Sequence, residues 1–275
     1  MRRLSATLIA AVSAIAFVQI AAAADLPRKA PAYTPPPPVF SWTGFYVGGT
    51  VGGAWTNADV SLNTVNGASP LYIPSQIPGL DAIGSPSVSA SNVIFGAKVG
   101  YNQQWASFVF GLEGDISSFH LNRSAFTTGN PFPLILPPAH PNVANFDTSV
   151  TTSWLATVRG RFGYAVDRLL FYGTGGAAFS NVRFSNAYQG HSPLGAGDEF
   201  GAASASETKT GWVAGGGIDY ALAINWIVSV EYLHVDLGSI AASGLVTSGN
   251  DNTATMNFST KIRSDLVRGG VAYKF

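Results

Sequence analysis

Charged side chains are scarce in this 275-residue chain. Asp, Glu, Lys and Arg make up 11 % of it, against about 25 % in ordinary globular domains. Eight of them stand out: Lys98, Glu113, Asp115, Arg159, Arg161, Asp219, Glu231 and Arg268 are each flanked on both sides by apolar or small residues. Their signs are mixed and nearly balanced. Gathered into one confined space they would form cross-strand ion pairs and hydrogen bonds, because unpaired charge is costly away from water. Such a network would plug the space it fills. The competing chemistry is ion conduction, with the same charges as a selectivity ring.

Nucleophilic chemistry has little to work with. The four histidines are His120, His140, His191 and His234. His234-Val235-Asp236 supplies a His and an Asp but no Ser beside them, whereas a hydrolase needs all three roles in hydrogen-bond reach. The chain has no cysteine, which removes disulfides, Cys-ligated zinc and a thiol nucleophile. Gly173-Thr174-Gly175-Gly176-Ala177-Ala178 fits G-x-G-x-x-A, but no helix follows it as a dinucleotide fold requires. No catalytic, cofactor-binding or metal site is expected, and without a basic stripe neither is nucleic acid.

The elements that position the charges are strands. Every second residue back from the carboxyl terminus is apolar or small (Phe275, Tyr273, Val271, Gly269, Val267), and Lys274 and Arg268 lie between them. A strand has period two, so one face is greasy and the other charged. The same alternation places eight strands near 44–56, 92–103, 107–119, 149–165, 168–184, 209–221, 225–238 and 258–275. Short connections alternate with long ones at 57–91, 120–148, 185–208 and 239–257. In the fourth strand Trp154, Ala156, Val158, Gly160, Phe162 and Tyr164 oppose Arg159 and Arg161. From Trp154 to Tyr164 a tilted strand climbs about 25 Å, the height of the apolar band of a membrane barrel. Aromatic girdles are expected at both rims of that band. Trp55, Phe119, Trp154, Phe179 and Trp212 belong to the loop side. Tyr101, Tyr164, Phe171, Tyr220, Trp226 and Phe275 belong to the turn side. The fold class is therefore all-β: an eight-stranded antiparallel transmembrane up-and-down β-barrel with short periplasmic turns and long extracellular loops. One feature fits poorly. Lys261, Arg263 and Asp265 share parity with lipid-facing Val267, so they stand above the membrane unless a bulge near Asp265 resets the register.

The amino-terminal end is consistent with export. Arg2 and Arg3 precede the apolar stretch Leu4 to Ile20, and Ala21 to Ala24 offers a cleavage site, so residues 1–24 read as a signal peptide cut near Ala24. Without Arg2 and Arg3 the 15 basic side chains become 13 against 15 acidic ones, so the mature chain is near neutral. Residues 25–41, with Pro35-Pro36-Pro37-Pro38, read as a proline-rich periplasmic spacer, and 42–275 as the barrel.

Four stretches together carry a resemblance: Ala23-Ala24-Asp25-Leu26-Pro27, Trp42-Thr43-Gly44-Phe45-Tyr46-Val47-Gly48-Gly49, Val230-Glu231-Tyr232-Leu233 and the terminal Tyr273-Lys274-Phe275. With them the chain resembles the porin-like outer-membrane immunogenic proteins of alpha-proteobacteria. The resemblance implies an abundant, surface-exposed barrel of the outer membrane, tied to envelope integrity and host contact. It also implies that the barrel assembly machinery reads Val271, Tyr273 and Phe275, and that outer-membrane lipid and lipopolysaccharide are neighbours. Two apolar loop stretches, Leu71-Tyr72-Ile73-Pro74 and Pro131 to Pro138, either contact a host surface or phage or fold over the barrel mouth. The expected function is structural, with the plugged lumen. A small diffusion pore is the alternative, and a lipid-modifying enzyme comes last.

Overall fold

In a computed structural model, residues 40–131, 143–192, 197–249 and 251–275 are described. Eight antiparallel strands follow one another round a closed ring: β1 (Gly44–Asn66), β2 (Ser87–Trp105), β3 (Phe108–Gly129), β4 (Val143–Val166), β5 (Leu169–Ser192), β6 (Gly197–Ala221), β7 (Trp226–Ser248) and β8 (Thr253–Lys274). One short helix, α1 (Ile77–Ile83), sits in the β1–β2 connection. The expected signal peptide, residues 1–24, and most of the expected proline-rich spacer lie outside the described residues. From Phe40 onward the chain belongs to the barrel, because the Phe40 and Trp42 rings meet at 4.9 Å.

The strands have 19 to 25 residues, about twice the 9–11 that a tilted strand needs to cross a bilayer. Their outer ends take up much of 57–91, 120–148, 185–208 and 239–257, which the sequence reading assigns to connections. The cause is visible on β8. Outward side chains run Phe275, Tyr273, Val271, Gly269, Val267 and then Asp265, Arg263, Lys261, Ser259, Asn257. Inward ones run Lys274, Ala272, Gly270, Arg268 and then Leu266, Ser264, Ile262, Thr260, Phe258, Met256. Period two never breaks, and pairing with β1 is continuous from Tyr46↔Lys274 to Asn66↔Ala254. Only the chemistry of the two faces trades places, near Asp265 and Leu266. No bulge resets β8, so Lys261, Arg263 and Asp265 do face outward, beyond the apolar belt.

The outer half therefore has a largely apolar interior. Leu62, Phe146, Val150, Leu155, Phe184, Leu237, Ile240, Met256, Phe258 and Ile262 are all buried in it. Its wall is laddered less completely than the ring below. β2 and β3 pair only from Gly96↔Ser117 to Trp105↔Phe108, and β6 and β7 separate between Gly201 and Trp212. The ring is therefore unladdered between β2 and β3 in this half and interrupted between β6 and β7, which pair again from Glu199↔Ser248 to Gly201↔Val246.

Two bulges keep apolar residues inside. On β4, Ser153 and Trp154 oppose Asn181, whose Oδ1 accepts Ser153 N at 3.0 Å and Ser153 Oγ at 2.9 Å. On β7, Leu237 and Gly238 oppose one β8 residue. Gly238 takes φ +71°, a region L side chains avoid, and its N–H donates to Asp236 Oδ1 at 2.8 Å. The G-x-G-x-x-A stretch lies within β5, and a Cβ on Gly176 would collide with the Val158 carbonyl oxygen. Close strand approach accounts for that glycine.

Candidate functional site

The candidate site is the barrel interior in the half with apolar outer walls. Parity alone aims Lys98 (β2), Glu113 and Asp115 (β3), Arg159 and Arg161 (β4), Asp219 (β6), Glu231 (β7) and Arg268 (β8) inward, and all eight are buried. Each ladder then fixes a depth: Glu113 pairs with Arg159, Glu231 with Arg268, and Lys98 with Asp115.

The eight groups form one continuous network of four acids and four bases. Arg159 is its hub. Its Nη1 lies 2.7 Å from Glu231 Oε1, its Nη2 pairs with Glu113 and lies 3.1 Å from Asp115 Oδ2, and its Nε donates to Thr157 Oγ1 at 3.0 Å. Arg268 grips Asp115 with both Nη atoms, at 2.8 and 3.1 Å, while its Nε reaches Glu231 Oε2 at 2.8 Å. Arg161 pairs with Asp219 at 2.6 Å and lies 3.8 Å above the Tyr172 ring. Lys98 is held more loosely, 3.9 Å from Glu113 and donating to Ser229 Oγ at 3.2 Å. Bidentate, charge-assisted bonds are the strong class, and removing one partner strands a buried charge.

Buried apolar clusters flank the network on both sides. On the turn side Trp42, Tyr46, Val109, Leu170, Tyr172 and Ile227 form a buried cluster. On the loop side the apolar interior begins at Leu155, Leu233 and Leu266. Tyr46 and Tyr172 belong to the network too, since their hydroxyls donate to Glu113 at 2.8 Å and to Glu231 at 3.2 Å. The signal for Tyr46 is its place between outward Phe45 and Val47, where alternation points it inward.

The outward residues are distributed as follows. Trp55, Trp212, Tyr101, Tyr164, Tyr220 and Trp226 are exposed, and Trp154 is half-buried at its bulge. Tyr101 pairs with Phe45 and Trp55 stands ten residues further along β1, so the two rows are about 25 Å apart in height. Phe119 is a correction. It is 2 % exposed and points inward, because it shares odd parity with Glu113 and Asp115 on β3. Val271, Tyr273 and Phe275 face outward, and the Phe275 N–H donates to the Phe45 carbonyl at 2.9 Å.

The histidines do not assemble a triad among the described residues. His234 faces outward, with Nδ1 2.8 Å from Asp265 Oδ1 across the ladder rather than on neighbouring Asp236. Asp265 also accepts the Tyr232 hydroxyl at 2.7 Å. His120 and His191 lie on the long strands β3 and β5 rather than in loops, and His140 is outside the described residues. Asp236 sits 3.5 Å from both Lys261 and Arg263. Of the apolar loop stretches, Leu71 and Tyr72 turn inward and are buried, while 132–138 lies outside the described residues.

The family model described as "Outer membrane protein beta-barrel domain" matches residues 8–275. The chain belongs to this outer-membrane β-barrel family. A 31 kDa outer-membrane immunogenic protein of Brucella melitensis is 31 % identical over 281 residues, covering 99 % of this chain and all of the relative. A 25 kDa outer-membrane immunogenic protein of Brucella abortus is 25 % identical over 278 residues, with both chains covered completely. Ail of Yersinia pestis superposes on 85 % of this chain and 99 % of its own at 14 % identity and a TM-score of 0.32, too loosely to add to the ring already described. The protein resides in the outer membrane. Its apolar belt is the membrane-spanning half, and the long outer half stands on the extracellular side.

Proposed function

We propose that this outer-membrane barrel is a non-enzymatic structural and surface protein with a plugged lumen. It contributes to envelope integrity and presents a rigid outer half to the environment or a host. One observation carries the reading: all four lumen acids and all four lumen bases are engaged with one another inside a ring too narrow for more than side chains. The aromatic rows fit girdles in the two headgroup zones. Outward Lys261 and Arg263, just beyond the outer row, are placed to meet lipopolysaccharide phosphates. The terminal Val271, Tyr273 and Phe275 fit the role of an assembly signal. The outer connections are the surface available to a host or phage. His234, with a carboxylate and a tyrosine about it, serves as a polar anchor at the rim.

The test is planar-bilayer conductance of the purified protein. The plugged reading expects closed traces with rare, brief openings. Steady channels from the unmodified protein would instead establish the diffusion pore.

A further inference from the structure

We infer that the β1–β2 connection is a pH-sensitive lid over the extracellular mouth, clasped by the buried carboxyl of Glu199. The path of the connection shows it crossing the mouth. It leaves β1 beside β8, where the Gly67 N–H donates to the Thr253 carbonyl and the Thr253 N–H to the Ser69 carbonyl, both at 2.9 Å. Tyr72 then reaches β5 and β6 on the far side. α1 follows over β3, where Thr127 Oγ1 donates to the Ile83 carbonyl at 2.9 Å, with Leu80 fully buried beneath it. The chain rejoins the wall where the Val60 N–H donates to the Pro86 carbonyl at 3.0 Å.

The Tyr72 backbone is held by the Asn66 side chain at the end of β1, at 2.7 and 3.0 Å, and its hydroxyl fastens the lid across the mouth at one carboxylate oxygen. The Tyr72 and Tyr188 hydroxyls both lie 2.8 Å from Glu199 Oε2 and 3.1 Å from each other. Glu199 is 1 % exposed, and its Oε1 has no hydrogen-bond partner among the described residues. A fully ionised carboxylate normally recruits a cation or several donors when buried. Here the nearby charges are His191 on β5 and Asp198 on β6, which pair with each other at 2.9 Å. Within the lid itself Asp81 accepts from Thr64 N at 3.0 Å and Thr64 Oγ1 at 2.6 Å.

Burial pushes the Glu199 carboxyl above the ordinary range, against the opposing pull of the two tyrosine hydrogen bonds and His191. Burial also raises Asp81. For an acid raised in the closed state, the stabilisation is complete below the ordinary carboxyl pKa. It is lost as pH rises through the raised value. The lid is thus held most firmly in acid and loosens toward neutral pH.

Amide hydrogen exchange of the full-length protein in detergent micelles, corrected for intrinsic rate, reads this directly. Peptides covering 67–86 should lose protection as pH rises, by about tenfold for each unit separating the closed and open pKa values. β8 peptides from Asp265 to Phe275 serve as a reference that stays constant. Glu199→Gln, which cannot ionise, should remove the larger part of the pH dependence and leave only the smaller part that half-buried Asp81 contributes. Tyr72→Phe should weaken the lid throughout the range, and Asp81→Asn should leave the pH dependence in place. A flat profile in the unmodified protein would overturn the proposal. So would a dependence that survives undiminished in Glu199→Gln or disappears in Asp81→Asn. If Glu199→Gln fails to assemble, Tyr72→Phe decides: unchanged protection at acid pH would also overturn it.

Discussion

Above and below Asp265 the barrel solves two different burial problems with one ladder. In the membrane-spanning half the outward set on β1 includes Phe45, Val47, Val51 and Trp55, and the interior holds eight acidic and basic side chains. In the extracellular half the outward set is Asn57, Asp59, Ser61 and Asn63, and the interior holds Ala58, Val60 and Leu62. On β1 and β8 backbone pairing and side-chain parity carry on across the boundary, while on β4 and β7 a bulge shifts the parity by one residue. The solvent on the outside is what changes, from hydrocarbon to water, and the interior changes in the opposite sense. Strand length in this protein is accordingly not a measure of membrane thickness. The outer half is a polar-surfaced, apolar-cored continuation of the ring that spans the membrane.

The difference is most sharply exposed by breaking each interior at its centre. Arg159→Ala leaves Glu113, Asp115 and Glu231 buried with a partner missing, and is expected to cost about 3–5 kcal/mol in urea unfolding from micelles. The same variant should raise conductance in planar bilayers. Phe184→Ala removes a buried ring from the outer core and should cost about 3–4 kcal/mol while conductance stays at the unmodified level. Equal conductance from both variants would mean that the two interiors are not separate barriers.

Outward charges distinguish the halves next. Val51 faces outward about midway between the aromatic rows, so Val51→Arg should destabilise by about 2–4 kcal/mol. Ser259→Arg sits on the outward face of β8 beyond the boundary and should stay within about 0.5 kcal/mol of the unmodified protein. A smaller effect concerns the bulge that keeps Leu237 and Ile240 both inside. Gly238→Ala forces a Cβ into the left-handed region and should cost about 1–2 kcal/mol, with loss of exchange protection confined to outer β7.

The sequence reveals these two halves unequally. The membrane half is plain because its charges are rare and each is bracketed by apolar neighbours. Reading parity from Phe275 is enough to aim Arg268, and the same exercise on the other strands aims the remaining seven. Tyr46 was equally legible by alternation. Phe119 could have been placed correctly by the same rule, since it shares odd parity with Glu113. The outer half is hidden by composition. Asn57-Ala58-Asp59-Val60-Ser61-Leu62-Asn63 alternates strictly, yet Asn, Asp and Ser are also the residues of turns, and their polarity reads as loop. The Glu199 clasp has no local signature at all. It joins Tyr72, Tyr188 and Glu199 from three separate elements, and only the ring geometry brings their hydroxyls and carboxyl together. His234 shows the converse limit: its near neighbour Asp236 suggests a pair, whereas the ladder gives it Asp265.

The boundary itself is open to direct measurement. Single cysteines at outward β8 positions 271, 267, 263, 259 and 257, spin-labelled in a lipid bilayer, report whether each site meets hydrocarbon or water through collisions with oxygen or a water-soluble nickel chelate. The account predicts oxygen-dominated relaxation at 271 and 267 and nickel-dominated relaxation at 263, 259 and 257. Oxygen-dominated signals continuing to 257, or nickel access at 271, would contradict it.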